Sequence, residues 1–148
     1  MEHQGRGISS FPNLQFRNHN LYIDSIYRVY TELKSLNLDK ELQKYEIEFK
    51  KGFSKPLILF TLAEKPDYPF QISKTVREMT KDKISIVGSN IYPILTNMEK
   101  SGIIQGIKEE ESRKRVYSLT DDGKEFLTSL QQTMKEFVDI IQEMIDTQ

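Results

Sequence analysis

The side chains best suited to chemistry in this sequence are short polar groups and cations in two neighbouring stretches. The first stretch, residues 88–100, offers hydrogen-bonding side chains at Ser89, Asn90, Tyr92, Thr96 and Lys100. The second stretch offers three consecutive cations, Arg113, Lys114 and Arg115. Asparagine and threonine can hydrogen-bond to base edges, whereas hydroxyl groups and cations bind phosphate oxygens. We therefore expect these residues to form a surface that contacts double-stranded DNA.

The first stretch has the pattern of a helix with one apolar side. Its apolar residues recur at helical spacing, which predicts a buried face, at Ile91, Leu95 and Met98. The side chain of Ser89 or Asn90 is expected to cap the start of this helix. Gly102 suits the left-handed position just after its end. The helix would present the polar residues to solvent, and the alternative for Tyr92 is packing beneath it.

The second stretch predicts a β-hairpin. Residues 103–108 and 113–119 are rich in β-branched and aromatic side chains, and polar residues lie between them. A helix followed by a hairpin is the arrangement of a winged helix-turn-helix, in which the helix enters the major groove and the hairpin lies along the backbone. The glutamates at 109–111 would repel phosphate at the hairpin tip, so we expect contact from its base. The alternative is that the three cations only balance these glutamates.

Helical spacing of apolar residues also predicts the elements before this segment. Residues 20–37 and 38–51 are expected to form two helices, the first ending at Asn37 and the second at Gly52. Residues 55–65 and 70–81 follow as the first two core helices.

The helix predicted over 70–81 has an inward face and a basic outer face. Ile72, Val76 and Met79 are expected to point into the core. Lys74 is expected to face solvent as a phosphate contact, and an ordinary charged helix surface is the alternative.

The last part of the chain predicts one long helix. Thr120 should cap it, and Gly123 inside it suggests close approach to a strand of the hairpin. Its apolar residues alternate in steps of three and four, which forms a heptad seam at Leu127, Leu130, Met134, Phe137, Ile141 and Met144. We expect this seam to pack against a second copy of the chain, and packing against the N-terminal helices is the alternative.

The composition restricts the remaining classes of function. The 148 residues include no cysteine and only two histidines, so disulfides, thiolate zinc sites and histidine-based metal sites are not expected. No apolar run is long enough to span a membrane, and the N-terminus lacks the apolar core of a secretion signal, so we expect a cytoplasmic protein. The net charge is −1, but residues 55–119 carry 11 basic and 8 acidic side chains. Positive charge therefore lies on the segment expected to contact DNA.

Catalysis and cofactor binding have little support in the sequence. It contains no phosphate-cradling glycine loop, no histidine-based nucleophile system and no cluster of metal ligands. We therefore expect a protein that is not an enzyme and that holds neither a cofactor nor a metal ion. The rival class is a winged helix that contacts another protein, which would have an apolar or acidic recognition face.

Three short sequence motifs between residues 91 and 123 also resemble a known family. The residues Ile91-Tyr92-Pro93-Ile94-Leu95, then Met98-Glu99-Lys100-Ser101-Gly102-Ile103-Ile104, then Arg115-Val116-Tyr117-Ser118-Leu119-Thr120-Asp121-Asp122-Gly123 are similar to the PadR family of transcriptional regulators. The resemblance implies a homodimer that binds a pseudo-palindromic DNA site, most often as a repressor. It also allows for a small-molecule effector bound where the terminal helices meet. MarR-like regulators are the nearest alternative within the DNA-binding class.

The expected fold is mainly α with a small β-hairpin. A winged helix-turn-helix core is flanked by N-terminal helices and by a long C-terminal dimerisation helix. The segments in order are an arm at 1–18, a helical extension at 19–53, the winged DNA-binding core at 54–120 and the dimerisation helix at 121–148.

Overall fold

The computed structural model describes residues 20–148. The described chain is mainly helical with one two-stranded antiparallel sheet, so the predicted fold class is confirmed. The arm predicted at residues 1–18 lies outside the described residues. In chain order the elements are α1 (Asn20–Glu64), α2 (Pro69–Met79), one 3₁₀ turn (Gly88–Asn90), α3 (Ile91–Lys100), β1 (Ile104–Lys108), β2 (Arg115–Leu119) and α4 (Asp121–Asp146).

Helix α1 is longer than the sequence pattern predicted. It runs without a break from Asn20 to Glu64, so the predicted helix ends at Asn37 and Gly52 are wrong. A single asparagine or glycine costs a helix about 1 kcal/mol or less, and the surrounding lysine, glutamate and leucine residues offset that cost. The described chain divides into two compact units that meet inside α1, with the second unit spanning Glu48–Gln148.

The first unit exposes every side chain from Leu21 to Ile47. Its apolar residues recur at helical spacing in two groups, with Ile26 and Tyr30 in the first and Leu42 and Tyr45 in the second. A helix turns by about 100° per residue, and the step from the first group to the second is longer than the steps of three or four residues within each group. The second group is therefore displaced around the helix axis. Apolar groups therefore face solvent on more than one side of this part of α1.

The second unit has a single apolar core to which helices and strands all contribute. Its buried side chains are Ile58, Leu59, Leu62, Ile72, Val76, Ile86, Ile91, Leu95, Met98, Ile104, Tyr117 and Leu127. The predicted inward faces of α2 and α3 are confirmed with one exception, Met79, which is 50% exposed. Met79 is the last residue of α2, and the link that follows buries Ile86 instead.

Helix α3 begins differently from the prediction and ends as predicted. A 3₁₀ turn over Gly88–Asn90 runs into the helix, and neither Ser89 nor Asn90 caps it with a side chain. The backbone supplies this turn instead, since the Asn90 N–H donates to the Val87 carbonyl oxygen at 2.7 Å. At the other end Gly102 has a φ of 79°, the left-handed conformation predicted for it.

Strands β1 and β2, with the turn between them, form the wing (residues 104–119). Their register runs from Ile104 opposite Leu119 to Lys108 opposite Arg115. Asp67 adds an isolated bridge to the other edge of β2. Its N–H donates to the Tyr117 carbonyl oxygen at 3.0 Å, and its own carbonyl accepts from the Tyr117 N–H at 2.9 Å. The wing is thus joined to the loop between α1 and α2.

Helix α4 starts in close contact with the wing. Thr120 caps it by accepting a hydrogen bond from the Gly123 N–H at 2.9 Å. A Cβ atom at Gly123 would overlap the carbonyl oxygen of Ile103, the residue before β1. The predicted cap and the predicted close approach are both confirmed.

Replacing Gly123 by alanine is expected to destabilise the fold, because the Ile103 backbone would have to move. Overpacking of this kind costs about 1–3 kcal/mol, which would lower the midpoint of chemical denaturation. Gly52→Ala is the matched control, since Gly52 lies inside α1 with open space around it. That variant should gain roughly 1 kcal/mol in helix stability. Equal shifts of the denaturation midpoint in the two variants would contradict the close contact at Gly123.

Candidate nucleic-acid interface

The hydrogen-bonding side chains predicted around α3 all lie at the surface. Tyr92, Thr96 and Lys100 occupy every fourth position and so line one side of the helix. Ser89 and Asn90 are exposed in the preceding turn. Tyr92 is 56% exposed, which excludes the alternative that it packs beneath the helix. The opposite side of α3 is anchored in the core, and this fixes which side faces solvent.

The three wing cations meet Tyr92 in one cleft, which we call the wing cleft. Its volume is about 660 Å³. Cationic and aromatic side chains line it, namely Arg113, Lys114 and Arg115 from the wing, Tyr92 from α3, and Tyr68 and Phe70 from the start of α2. Two stretches that the sequence separates therefore form one surface.

A second cleft, the helix cleft, lies between α2 and the start of α3. Lys74 and Arg77 line it together with Val87, Phe70 and Tyr92. Phe70 and Tyr92 line both clefts and stand between the two groups of cations.

The cations of the helix cleft are weakly paired within α2 and its C-terminal turn. Lys74 Nζ lies 4.0 Å from Glu78 Oε1, and Arg77 Nε lies 3.3 Å from Asp82 Oδ1. Both pairs are largely exposed, so each contributes little to stability and can be exchanged for a phosphate contact. The remaining predicted contacts line neither cleft, namely Ser89, Asn90, Thr96 and Lys100.

Arg115, one of the predicted phosphate contacts, is engaged within the protein. Its Nη2 atom lies 2.7 Å and 3.0 Å from the two carboxylate oxygens of Glu99 and donates to the Gly106 carbonyl oxygen at 3.0 Å. Glu99 also accepts the Gly106 N–H at 2.8 Å. The guanidinium carbon lies 5.6 Å from the centroid of the Tyr117 ring. These contacts tie the last turn of α3 to both strands of the wing.

Sequence reasoning did not single out Glu99 or Gly106. A glycine inside a strand was an available signal, because such a residue often marks the close approach of another group. A Cβ atom at Gly106 would lie 2.6 Å from Arg115 Nη2, so the glycine leaves room for the guanidinium group. Glu99 gave no comparable signal, since a single glutamate near the end of a polar helix face is ordinary.

Glu109 is held in the wing turn by two hydroxyl groups. The Tyr68 hydroxyl donates to one carboxylate oxygen at 2.6 Å, and the Ser112 hydroxyl donates to the other at 2.6 Å. The bond from Ser112, followed by that from Tyr68, holds the pKa of the Glu109 carboxyl below its usual value. The Tyr68 pKa is raised, chiefly because its hydroxyl donates to Glu109. Glu109 is therefore part of the turn's structure, whereas Glu110 and Glu111 remain exposed.

Lys114 and Arg113 lie beside this network. The Lys114 ammonium group is 5.7 Å from the centroid of the Tyr68 ring. Arg113 has a left-handed backbone with a φ of 58°, and its N–H donates to the Glu109 carbonyl oxygen at 3.1 Å. That conformation costs a residue with a Cβ atom roughly 1–2 kcal/mol. A strained backbone under an exposed cation makes Arg113 a candidate functional position.

The predicted dimerisation seam on α4 divides into two parts. Leu127 is buried in the core and Leu130 packs against it, so both belong to the core of their own chain. Met134 is partly buried. The side chains of Phe137, Ile141 and Met144 are all more than half exposed. The later part of α4 therefore carries an apolar stripe that the core of the second unit does not cover.

Two other kinds of site are not found within residues 20–148. None of the helices in this range is both long and apolar enough for a membrane span. Nor does the range contain three or more acidic or histidine side chains grouped as metal ligands would be.

Residues 58–129, from the end of α1 to the first turns of α4, match the model of the transcriptional regulator PadR-like family. The chain belongs to this family. The match covers the core of the second unit and leaves most of α1 outside. It confirms the resemblance drawn from the sequence and favours a PadR-like over a MarR-like regulator.

Solved structures of transcriptional regulators share the fold of this PadR-like chain. A transcriptional regulator from Clostridium thermocellum is 25% identical, with a TM-score of 0.60 over 65% of this chain and 93% of its own. A PadR family transcription regulator from Clostridium difficile is 26% identical, with a TM-score of 0.55 over 63% of this chain and 98% of its own. A PadR family transcriptional regulator from Eggerthella lenta is 18% identical, with a TM-score of 0.64 over 76% of this chain and 99% of its own. Because its identity is so low, this structure shows only that the fold is shared.

Proposed function

We propose that this PadR-like regulator binds double-stranded DNA sequence-specifically and represses transcription in the cytoplasm. The observation that carries the proposal is a row of cations on both sides of Tyr92, with Arg113 and Lys114 in the wing cleft and Lys74 and Arg77 in the helix cleft. None of the residues lining the two clefts is acidic. Such a surface suits a DNA backbone, with α3 directed into the major groove.

The residues expected to read bases lie on α3 and the turn before it. Asn90 can pair with an adenine edge, and Thr96 can hydrogen-bond to a base or contact a thymine methyl group. Ser89 and Tyr92 offer hydroxyl groups for phosphate oxygens, and Lys100 offers an ammonium group. In this arrangement the clefts supply affinity and α3 supplies sequence preference.

A homodimer is the second part of the proposal. An apolar stripe at Phe137, Ile141 and Met144 supports it, because exposed apolar patches mark contact surfaces. Residues 20–50 of one chain, which also expose apolar side chains, would brace the other. Two-fold symmetry then implies a pseudo-palindromic operator with half-sites about 34 Å apart. Repression would follow from occlusion of the promoter.

A small-molecule effector is the third part of the proposal, and it rests on the family. It would bind where the terminal helices of the two copies meet and would alter the distance between the two α3 helices. The sequence has no tryptophan, so phenylalanine and tyrosine would supply the aromatic contacts.

Fluorescence polarisation with the duplex upstream of the protein's own gene tests the central proposal. We expect tighter binding to that duplex than to a scrambled one, with a linear dependence of log K on log salt, because bound phosphates release counterions. Equal affinity for both duplexes would contradict sequence specificity. Absence of binding to either duplex at low salt would contradict DNA binding and favour a winged helix that contacts another protein.

Arg113→Ala should weaken binding and reduce the salt slope by about 1, as expected for one lost phosphate contact. Lys44→Ala is the matched control, because Lys44 is an exposed cation paired with Glu41 in the first unit. That variant should keep the wild-type slope. If Arg113→Ala also keeps the wild-type salt slope, the phosphate contact must lie outside the wing turn.

A further inference from the structure

Phe70 is exposed to a degree that the fold does not require. Its side chain is 76% exposed, the largest value among the large apolar residues of the second unit. Helix α2 buries its opposite side through Ile72 and Val76, so Phe70 contributes nothing to the core. An exposed phenyl ring beside other apolar groups marks a contact surface.

The surroundings of Phe70 alternate in chemistry across the surface. Phe70 and Tyr92 line both clefts, with Arg113 and Lys114 on one side and Lys74 and Arg77 on the other. The order is therefore cation, aromatic ring, cation. A DNA strand has the same alternation, because a deoxyribose with an apolar face separates one phosphate from the next.

We propose that Phe70, supported by Tyr92, packs on a deoxyribose between a phosphate held in the wing cleft and a phosphate held in the helix cleft. This inference rests on the proposed DNA binding and adds a residue that no charge-based argument selects. Phe70 then sets how closely the backbone approaches α2, and through it the depth at which α3 enters the groove. The contact removes apolar area from water and neutralises no charge.

The absence of charge neutralisation gives the inference a distinctive signature. Only contacts that displace counterions change the salt slope. Phe70→Ala should therefore lower the affinity for a random-sequence duplex about tenfold at every salt concentration, as expected for the loss of one apolar contact, and leave the salt slope unchanged. Phe70→Leu, which keeps an apolar side chain, should recover part of the affinity.

Met79→Ala is the matched control for this measurement. Met79 lies on the same helix, is half exposed and lines neither cleft. We expect it to bind like the wild type, and we expect both variants to unfold at about the wild-type temperature because neither side chain belongs to the core. The inference would be overturned by wild-type affinity in Phe70→Ala or by a reduced salt slope in that variant. It would also be overturned by an equal loss of affinity in Met79→Ala. If the wild-type chain binds no duplex, the DNA-binding proposal itself fails and this inference fails with it, an outcome distinct from the other three.

Discussion

Replacing both Phe137 and Ile141 by lysine is expected to convert the proposed homodimer into monomers. The two side chains are 62% and 51% exposed in the single chain, on one side of α4. A dimer that covers this stripe would have to bury the new ammonium groups, at a cost of several kcal/mol. Neither residue belongs to the chain's own core, so the monomer should stay folded. Light scattering would give half the wild-type mass, with an unchanged circular dichroism spectrum.

The same variant should lose most of its operator affinity, because a monomer engages one half-site. Linking two sites raises overall affinity by a factor of about 10²–10⁴, so a loss in that range is expected. The control carries Gln132→Lys and Gln142→Lys, which add the same charge outside the apolar stripe. Those glutamines hydrogen-bond along the helix to Glu136 and Asp146. An unchanged mass in the first variant, or dissociation of the control, would contradict the proposed seam.

The fold of the second unit was predictable because its signals are local and agree with one another. Helical spacing identified the buried sides of α2 and α3, and Gly102, Thr120 and Gly123 each have the backbone role expected of them. Helix α1 was not predictable in the same way. Its continuity over 45 residues depends on the sum of many small propensities, whereas the predicted breaks came from single residues.

The candidate site was predictable only in part, because exposure follows from spacing but contacts do not. The polar face of α3 and the basic run of the wing are exposed as expected. The partners of that run depend on the position of elements far apart in sequence. Arg115 pairs with Glu99, 16 residues away, and Glu109 with Tyr68, 41 residues away. Neither partner lies next to these residues in the sequence, so the order of charges along the chain could not identify either pairing.

Replacing Glu99 by alanine is expected to weaken DNA binding although the change removes a negative charge. By Coulomb's law alone, a less acidic surface should attract phosphate more strongly. Glu99, however, holds the Arg115 guanidinium group and the Gly106 N–H, and through them it ties the wing to the end of α3. Hydrogen bonds to a charged group contribute about 1.5–3 kcal/mol each, and partial exposure reduces that figure here, so a loss of about tenfold in affinity is expected. Fluorescence polarisation with the operator duplex measures it.

Two further variants separate a positioning role from a purely electrostatic one. Glu110→Ala removes the same charge from an exposed position of the wing turn, so it should bind DNA slightly more tightly than the wild type. Arg115→Lys keeps the charge but lacks the planar guanidinium group that reaches both Glu99 and Gly106, so its affinity should resemble that of Glu99→Ala while its salt slope stays at the wild-type value. Tighter binding by Glu99→Ala would assign Glu99 a repulsive effect only. Wild-type affinity in Arg115→Lys would return Arg115 to the role of a simple phosphate contact, since charge alone would then account for its contribution.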